Sequence, residues 1–301
     1  MAAGESVRYD LLHIIVCFLT KGIHMKLRQL GAAMSGLLLA ASLVACGGTQ
    51  SNATNTDANG GEGKAATYKI ATDTTFAPFE YADANGTYVG VDVDLLAAIA
   101  ADQGFEYELN PVGFDAALQS VQSGQADGVI AGMSITDERK EVFDFSEPYY
   151  DSTVCAAVAK DSSVSSLADL KGKNVAVKNG TMSQAWAQSI ADENGFTMTV
   201  FDDSATMYQD VEAGNSVACF EDTPVMSYAI SQYEATGGKE GMNFTIIAEA
   251  SSDSEYATPY GFAVNKGANK ELLEKFDAGL ANIKNNGTYD EVVAKYVKSV
   301  K

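Results

Sequence analysis

The chain has 301 residues, with 20 basic and 40 acidic side chains and a formal net charge of −20 at pH 7. Residues 1–46 hold 4 of the basic and 2 of the acidic residues, so the remainder carries −22, a surface that repels a phosphate backbone and excludes nucleic acid as a partner. The stretch from about residue 67 onward is long enough for two lobes of ordinary domain size.

Residues 1–24 read as an upstream extension whose apolar run, Leu11 to Leu19, is too short to span a bilayer. Met25-Lys26-Leu27-Arg28 opens a second start, followed by a small and apolar run from Leu30 that closes in Leu43-Val44-Ala45-Cys46. This order resembles the bacterial lipoprotein signal. The resemblance implies that residues 25–45 are removed and that Cys46 is lipidated, anchoring the protein to the extracytoplasmic face of the cell membrane. An uncleaved membrane helix is the competing expectation. Residues 46–66 are rich in Gly, Ser, Asn and Thr, cannot bury a core, and form a flexible tether.

Beyond the tether, Tyr68–Asp73 is a short apolar strand. Asp94 caps a helix through Leu95, Ala98 and Ile99 that Gly104 ends. Asp115–Ser123 is a second helix, and Ala126–Met133 a buried strand. The stretch Gly132–Tyr150, GMSITDERKEVFDFSEPYY, places Arg139 in the first turn of a helix behind Ser134 or Thr136 as cap, with Asp137 and Glu138 at the positive end of the helix dipole. A guanidinium there presents a planar fork to a carboxylate. The rhythm then repeats: strand Asn174–Lys178, helix Ser183–Glu193, strand Thr197–Phe201, helix Ala205–Glu212, strand Val217–Phe220, helix Pro224–Gln232 and strand Phe244–Ala248. Helices Lys270–Lys284 and Tyr289–Val297 close the chain. Cys155 and Cys219 lie in apolar runs without metal-ligand spacing and are expected as buried free thiols. No motif calls for a cofactor or a metal.

Strands separated by helices predict an α/β protein of parallel sheets with helices on both faces, whose ligands sit beyond the carboxyl ends of strands. Asp73, Gly132–Ser134, Lys178–Thr181 and Glu221-Asp222 all fall at such ends.

The ordered blocks ATDTTFAPFEY (71–81), GVDVDLLAAIA (90–100), GFDAALQSVQSGQADGVIAGMSITDERK (113–140), DFSEPYY (144–150), VAVKNGT (175–181), EDTP (221–224) and NGTYDEVVAKY (286–296) resemble the polar amino-acid-binding proteins of bacterial ABC importers, most closely the glutamine-binding type. The resemblance covers about residues 68–297. It implies the two-lobed type II periplasmic-binding-protein fold, with residues 67–152 plus 252–301 as one lobe, 153–251 as the other, and a hinge near 151–154 and 248–253. It implies a monomer that binds one amino acid and docks on an importer's membrane subunits.

By the same resemblance Arg139 grips the α-carboxylate and Asp222 takes the α-ammonium. Gly132, Ser134 and Thr181 complete those shells. Phe76 and Phe114 wall the ligand's aliphatic part, while Asp73 and Lys178 hold a side-chain amide. Glu221 stands where the glutamine binder has histidine and is expected at the site, favouring a basic or amide-bearing ligand. Met182 replaces a small residue after Thr181. Phe79, Trp186, Tyr149 and Tyr150 are expected only to pack. Two alternatives stand beside this reading: a prephenate-type dehydratase on the same fold with Glu221 as proton donor, and a sensor presenting amino acid to a membrane receptor.

Overall fold

The structure is a computed structural model that describes residues 67–297; the proposed extension, signal, Cys46 and tether lie outside the described residues. The chain begins with β1 (Thr67–Thr72), then a small antiparallel sheet of β2 (Thr75–Phe76), β3 (Glu80–Ala82) and β4 (Tyr88–Val89). It continues through α1 (Val91–Gln103), β5 (Glu106–Pro111), α2 (Phe114–Gln122), β6 (Gly128–Val129), the one-turn α3 (Asp137–Lys140) and β7 (Phe143–Phe145). The second series is β8 (Val154–Ala159), β9 (Asn174–Lys178), α4 (Met182–Asn194), β10 (Thr197–Phe201), α5 (Ser204–Glu212), β11 (Cys219–Asp222), α6 (Thr223–Thr236) and β12 (Phe244–Glu249). The chain closes with β13 (Ala263–Asn265), α7 (Lys270–Asn286) and α8 (Thr288–Tyr296).

Two five-stranded sheets organise these elements, in the orders β5-β1-β6-β13-β7 and β10-β9-β11-β8-β12. The chain leaves the first sheet after Phe145, enters the second at Val154, and is back in the first by Ala263. The sheets share one pattern. Three parallel strands come first, and the fourth, β13 or β8, runs antiparallel to both its neighbours. In each lobe that reversed strand is the first sheet strand laid down after crossing from the other lobe. Each sheet is thus mainly parallel, as the family resemblance implies, and the reversal falls at the crossings, because a chain arriving from the opposite side runs back along the sheet.

Each lobe has its own core. In the first, Leu95, Leu96 and Ile99 of α1 are fully buried beside Phe276, Leu280 and Ile283 of α7, and the rings of Phe262 and Phe276 stack 4.4 Å apart. Each such buried side chain contributes about 1.5–3 kcal/mol. In the second, Trp186 meets Phe220 edge-on at 5.2 Å among Val154, Val175 and Val177. Cys155 and Cys219 are free and buried, and burial pushes both thiols well above their ordinary range.

Local signals set most boundaries. Gly104 and Gly195 end α1 and α4 in the left-handed conformation, which costs glycine nothing. Thr136, Thr181 and Asp203 cap α3, α4 and α5 through side-chain oxygens. Asp94 is not a cap. The helix begins at Val91 after Gly90, and the Asp94 carboxylate instead accepts from Lys295 Nζ (2.7 Å) and the Tyr296 hydroxyl (2.8 Å) of α8. The expected strand Ala126–Met133 shrinks to Gly128–Val129, because the chain turns out of the sheet before Gly132, whose φ is +52°.

Candidate functional site

Four parallel strands aim their carboxyl ends at one place. Asp73 follows β1, Gly132 and Ser134 follow β6, Lys178 ends β9 and Asp222 ends β11. Between them lies a nearly filled cavity of about 10 Å³, lined by Asp73, Phe76, Phe114, Ala131, Gly132, Ser134, Arg139, Lys178, Thr181, Met182 and Asp222. Nine of the ten residues expected at a site from the sequence thus share one cavity; Glu221 is absent from its wall. A larger cavity of about 420 Å³ has both Tyr81 and Tyr228 in its wall, their hydroxyls 3.3 Å apart, but it holds neither Arg139 nor Asp222 and its only charged lining residue is Glu240. The chemistry is in the smaller one.

Arg139 reaches the cavity from α3. One terminal N–H donates to the Ser134 carbonyl and another crosses the cleft to the Gly180 carbonyl, both at 2.8 Å. A guanidinium has five N–H donors, so three remain. Its carbon lies 5.5 Å above the Phe114 ring. Burial pulls its pKa down to about 10, opposed mainly by Asp222, so it remains cationic at neutral pH.

Asp222 approaches from the other lobe. It stands at the N-cap of α6, yet its side chain makes no capping bond. Oδ2 accepts from the Tyr260 hydroxyl at 2.5 Å, again across the cleft, while Oδ1 is buried without a partner. Burial, and after it the Glu221 carboxylate, pushes the Asp222 carboxyl up to about 7 against the pull of Tyr260, Arg139 and Lys178. An unpartnered buried carboxylate oxygen is costly unless a donor arrives. A cation seated in the cavity is such a donor.

The far end carries an ion pair between Lys178 Nζ and Asp73 Oδ2, each 1% exposed, joining the two lobes. Asp73 Oδ1 accepts from Thr74 N at 2.6 Å. The ammonium lies 5.0 Å from the Phe76 ring centre and 5.7 Å from that of Phe114. Burial works against its charge, but Asp73, Glu221 and Glu80 outweigh it and raise the Lys178 pKa.

Three of the expected contacts are already engaged within the protein. The Gly132 N–H donates to Asp92 Oδ2 at 2.8 Å, so Gly132 offers the cavity its carbonyl and its lack of a side chain. A Cβ at Gly132 would collide with the Phe76 ring, and φ of +52° disfavours any other residue. Gly132→Ala is expected to displace Phe76, lowering stability by ~1–3 kcal/mol and ligand affinity by about tenfold or more; melting curves and calorimetric titration check both. The Thr181 hydroxyl caps α4 through Gln184 N (3.1 Å) and bonds to the Lys178 carbonyl (2.8 Å). Glu221 points to the opposite face of β11, fully buried. Its carboxylate accepts from Ser204 and Tyr208 hydroxyls at 2.9 and 2.8 Å and from Asp222 N at 2.9 Å. It therefore acts on the cavity only as a charge behind Asp222 and Lys178. Three contributors escaped the sequence: Tyr260 on Asp222, and Asp92 and Tyr149 behind Gly132, with the Tyr149 hydroxyl 2.8 Å from Asp92 Oδ2.

Residues 68–299 match the family model of bacterial extracellular solute-binding proteins, family 3. The chain belongs to that family. Such a protein binds and does not catalyse, which removes the dehydratase alternative, and it acts outside the cytoplasm. Among curated proteins, the chain is 31% identical over 258 residues to the probable histidine-binding protein of Neisseria gonorrhoeae, covering 85% of this chain and 91% of that one. It is 34% identical to ABC transporter arginine-binding protein 1 of Escherichia coli over 72% of this chain and 85% of that one. Among solved structures, the second substrate-binding domain of GlnP from Lactococcus lactis, in an open conformation, is 45% identical with a TM-score of 0.55, covering 79% of this chain and 98% of the domain. An ancestral arginine-binding protein bound to glutamine is 37% identical with a TM-score of 0.68, covering 77% of this chain and 98% of that one. The relative with lower identity is the better match in shape. Among the described residues no helix is long and apolar enough to cross a membrane, and no cluster of side chains suits a metal.

Proposed function

We propose that this family member captures a single polar L-amino acid, with glutamine favoured, and delivers it to an ABC importer. The observation that carries the reading is the pairing of charges across one cavity: three spare guanidinium N–H groups of Arg139 from one lobe, and the unpartnered Oδ1 of Asp222 from the other. A free amino acid offers a carboxylate and an ammonium at one carbon, and each finds its complement there. The lobes, residues 67–152 with 252–301 and residues 153–251, close on it about a hinge near 151–154 and 248–253. The ligand stabilises the closed state through contacts that only the closed state makes in full.

Lys178 and Asp73 decide the side chain. An amide supplies an oxygen to the ammonium and N–H groups to the carboxylate, so it can be inserted into their pair with both partners kept. An arginine, lysine or histidine side chain would bring positive charge toward Lys178 instead. The relatives named for arginine and histidine favour a basic ligand, and an ancestral arginine-binding protein has been solved with glutamine and with arginine. The ammonium of Lys178 weighs against that choice here. Thermal shift against the twenty amino acids tests this directly, since a ligand bound only by the folded state raises its melting temperature. Glutamine is expected to give the largest rise, with a dissociation constant in the micromolar range, worth about 8 kcal/mol. A larger rise with arginine would overturn the amide assignment.

The protein acts as a monomer tethered through a lipidated Cys46. Cys46→Ala is expected to release it from the membrane fraction with ligand affinity unchanged, read by fractionation and titration. Retention in the membrane would point to an uncleaved anchor.

A further inference from the structure

Behind the cavity lie two carboxyl groups that the binding reaction does not touch. Glu80 of β3 and Asp92 of α1 are both 0% exposed. Asp92 Oδ2 accepts two hydrogen bonds at 2.8 Å, from Gly132 N and the Tyr149 hydroxyl. Asp92 Oδ1 has no donor, and neither oxygen of Glu80 has one. The Asp92 N–H donates to the carbonyl of Phe79, the neighbour of Glu80, at 2.9 Å, which brings the two carboxyl groups close enough to act on each other. Two ionised carboxylates can only accept, so as a pair of anions they would leave three buried oxygens unsatisfied and repel each other. One proton between them removes the repulsion and leaves only one of the three oxygens without a partner.

We propose that Glu80 and Asp92 share a single proton, Glu80 donating it to Asp92 Oδ1, and that this pair is a positioning device holding the Gly132 backbone against Phe76 in the wall of the ligand cavity. The charged and titratable groups facing Glu80 are Asp92, Asp73 and Lys178, with Tyr149 on the far side of Asp92. Burial first, then Asp92 and Asp73, raise the Glu80 carboxyl well above the ordinary range, against Lys178 alone. Asp92 is raised only to about 6, since Gly132 N–H and Tyr149 stabilise its anion. The proton therefore belongs to Glu80 and the charge to Asp92. An ionised Asp92 is what lets Gly132 N–H donate inward. That bond fixes the one backbone position where a side chain would strike Phe76.

The experiment uses the full chain and Glu80→Gln, which keeps a neutral donor of nearly the same shape. At pH 7 the infrared spectrum is expected to show a protonated-carboxyl C=O band that disappears in Glu80→Gln and persists in Asp222→Asn, separating it from the other raised carboxyl. Hydrogen exchange at Gly132 N–H is expected to be equally slow in wild type and Glu80→Gln. Protection should fall in wild type, by up to about tenfold per unit, as pH rises toward the Glu80 titration and level off beyond it, and should stay level throughout in Glu80→Gln. Absence of a Glu80-dependent carboxyl band at pH 7, or loss of Gly132 protection in Glu80→Gln, would overturn the proposal. None of these readouts needs an added ligand, so the pair stands or falls apart from the amino-acid reading.

Discussion

Arg139→Ala is expected to abolish the ligand-induced thermal shift and to weaken binding by ~2–5 kcal/mol, which is about 30-fold to several thousand-fold. Two causes act together. The three N–H groups not bonded within the protein are lost, leaving a bound carboxylate without its charge-assisted pair. The bond from Arg139 to the Gly180 carbonyl is also lost, and with it one of the contacts that draw the lobes together. The second effect exists without ligand and should lower the melting temperature slightly, by the worth of about one hydrogen bond, ~1 kcal/mol. The first appears only in titrations. Arg139→Lys separates them further: it restores a point charge but no fork, and should recover only part of the affinity. A full ligand-induced shift in Arg139→Ala would remove Arg139 from the site.

Much of this was legible in the chain because the signals were local. β9 and β10 fall where apolar runs between turn residues place them, to the residue. Gly104 and Gly195 end their helices as their position predicts. The strand-end rule placed six of the nine site residues that share the cavity, Asp73, Gly132, Ser134, Lys178, Thr181 and Asp222, and the family resemblance added Phe76, Phe114 and Arg139, all spread over about 150 positions. What escaped was set at long range. β5, Glu106–Pro111, alternates exposed and half-buried residues at the sheet edge and lacks an apolar run. β13 has three residues, too few for any pattern, and its reversed direction follows from the crossing and not from its sequence. Tyr260, Asp92 and Tyr149 reach the site through single hydroxyl or carboxyl oxygens 38 to 57 residues from their partners, and nothing in their neighbours announces this. Glu221 is different, because its misplacement was avoidable. Consecutive strand residues point to opposite faces. With Asp222 in the cavity, Glu221 belongs behind it, where Ser204 and Tyr208 hold it.

Asp222 governs the second large effect, which is a dependence on pH. Its carboxyl titrates at about 7 in the folded protein, against an ordinary aspartate value of 3.8. A raised carboxyl binds its proton more tightly folded than unfolded. Its contribution is therefore complete below about pH 4 and is lost as pH rises to 7, by ~4 kcal/mol at most for a shift of this size. The ligand reverses the preference. An ammonium at Oδ1 requires the anion, so below about pH 7 each binding event must expel a proton, and affinity should fall about tenfold per unit of pH. Above pH 7 the anion is already present and affinity should level off. Calorimetry in buffers of different ionisation enthalpy is expected to register nearly one proton released at about pH 6 and almost none at about pH 8. Asp222→Asn should weaken binding by ~2–5 kcal/mol at neutral pH, because the ammonium loses its counter-charge in a dry site. It should also flatten the acid limb, since the titrating group is gone. Glu221→Gln removes the charge behind Asp222, one of the causes raising its carboxyl, and should move the acid limb to lower pH without abolishing binding. An acid limb that survives in Asp222→Asn would place the ammonium on another carboxylate, and Asp73 is the other one lining the cavity.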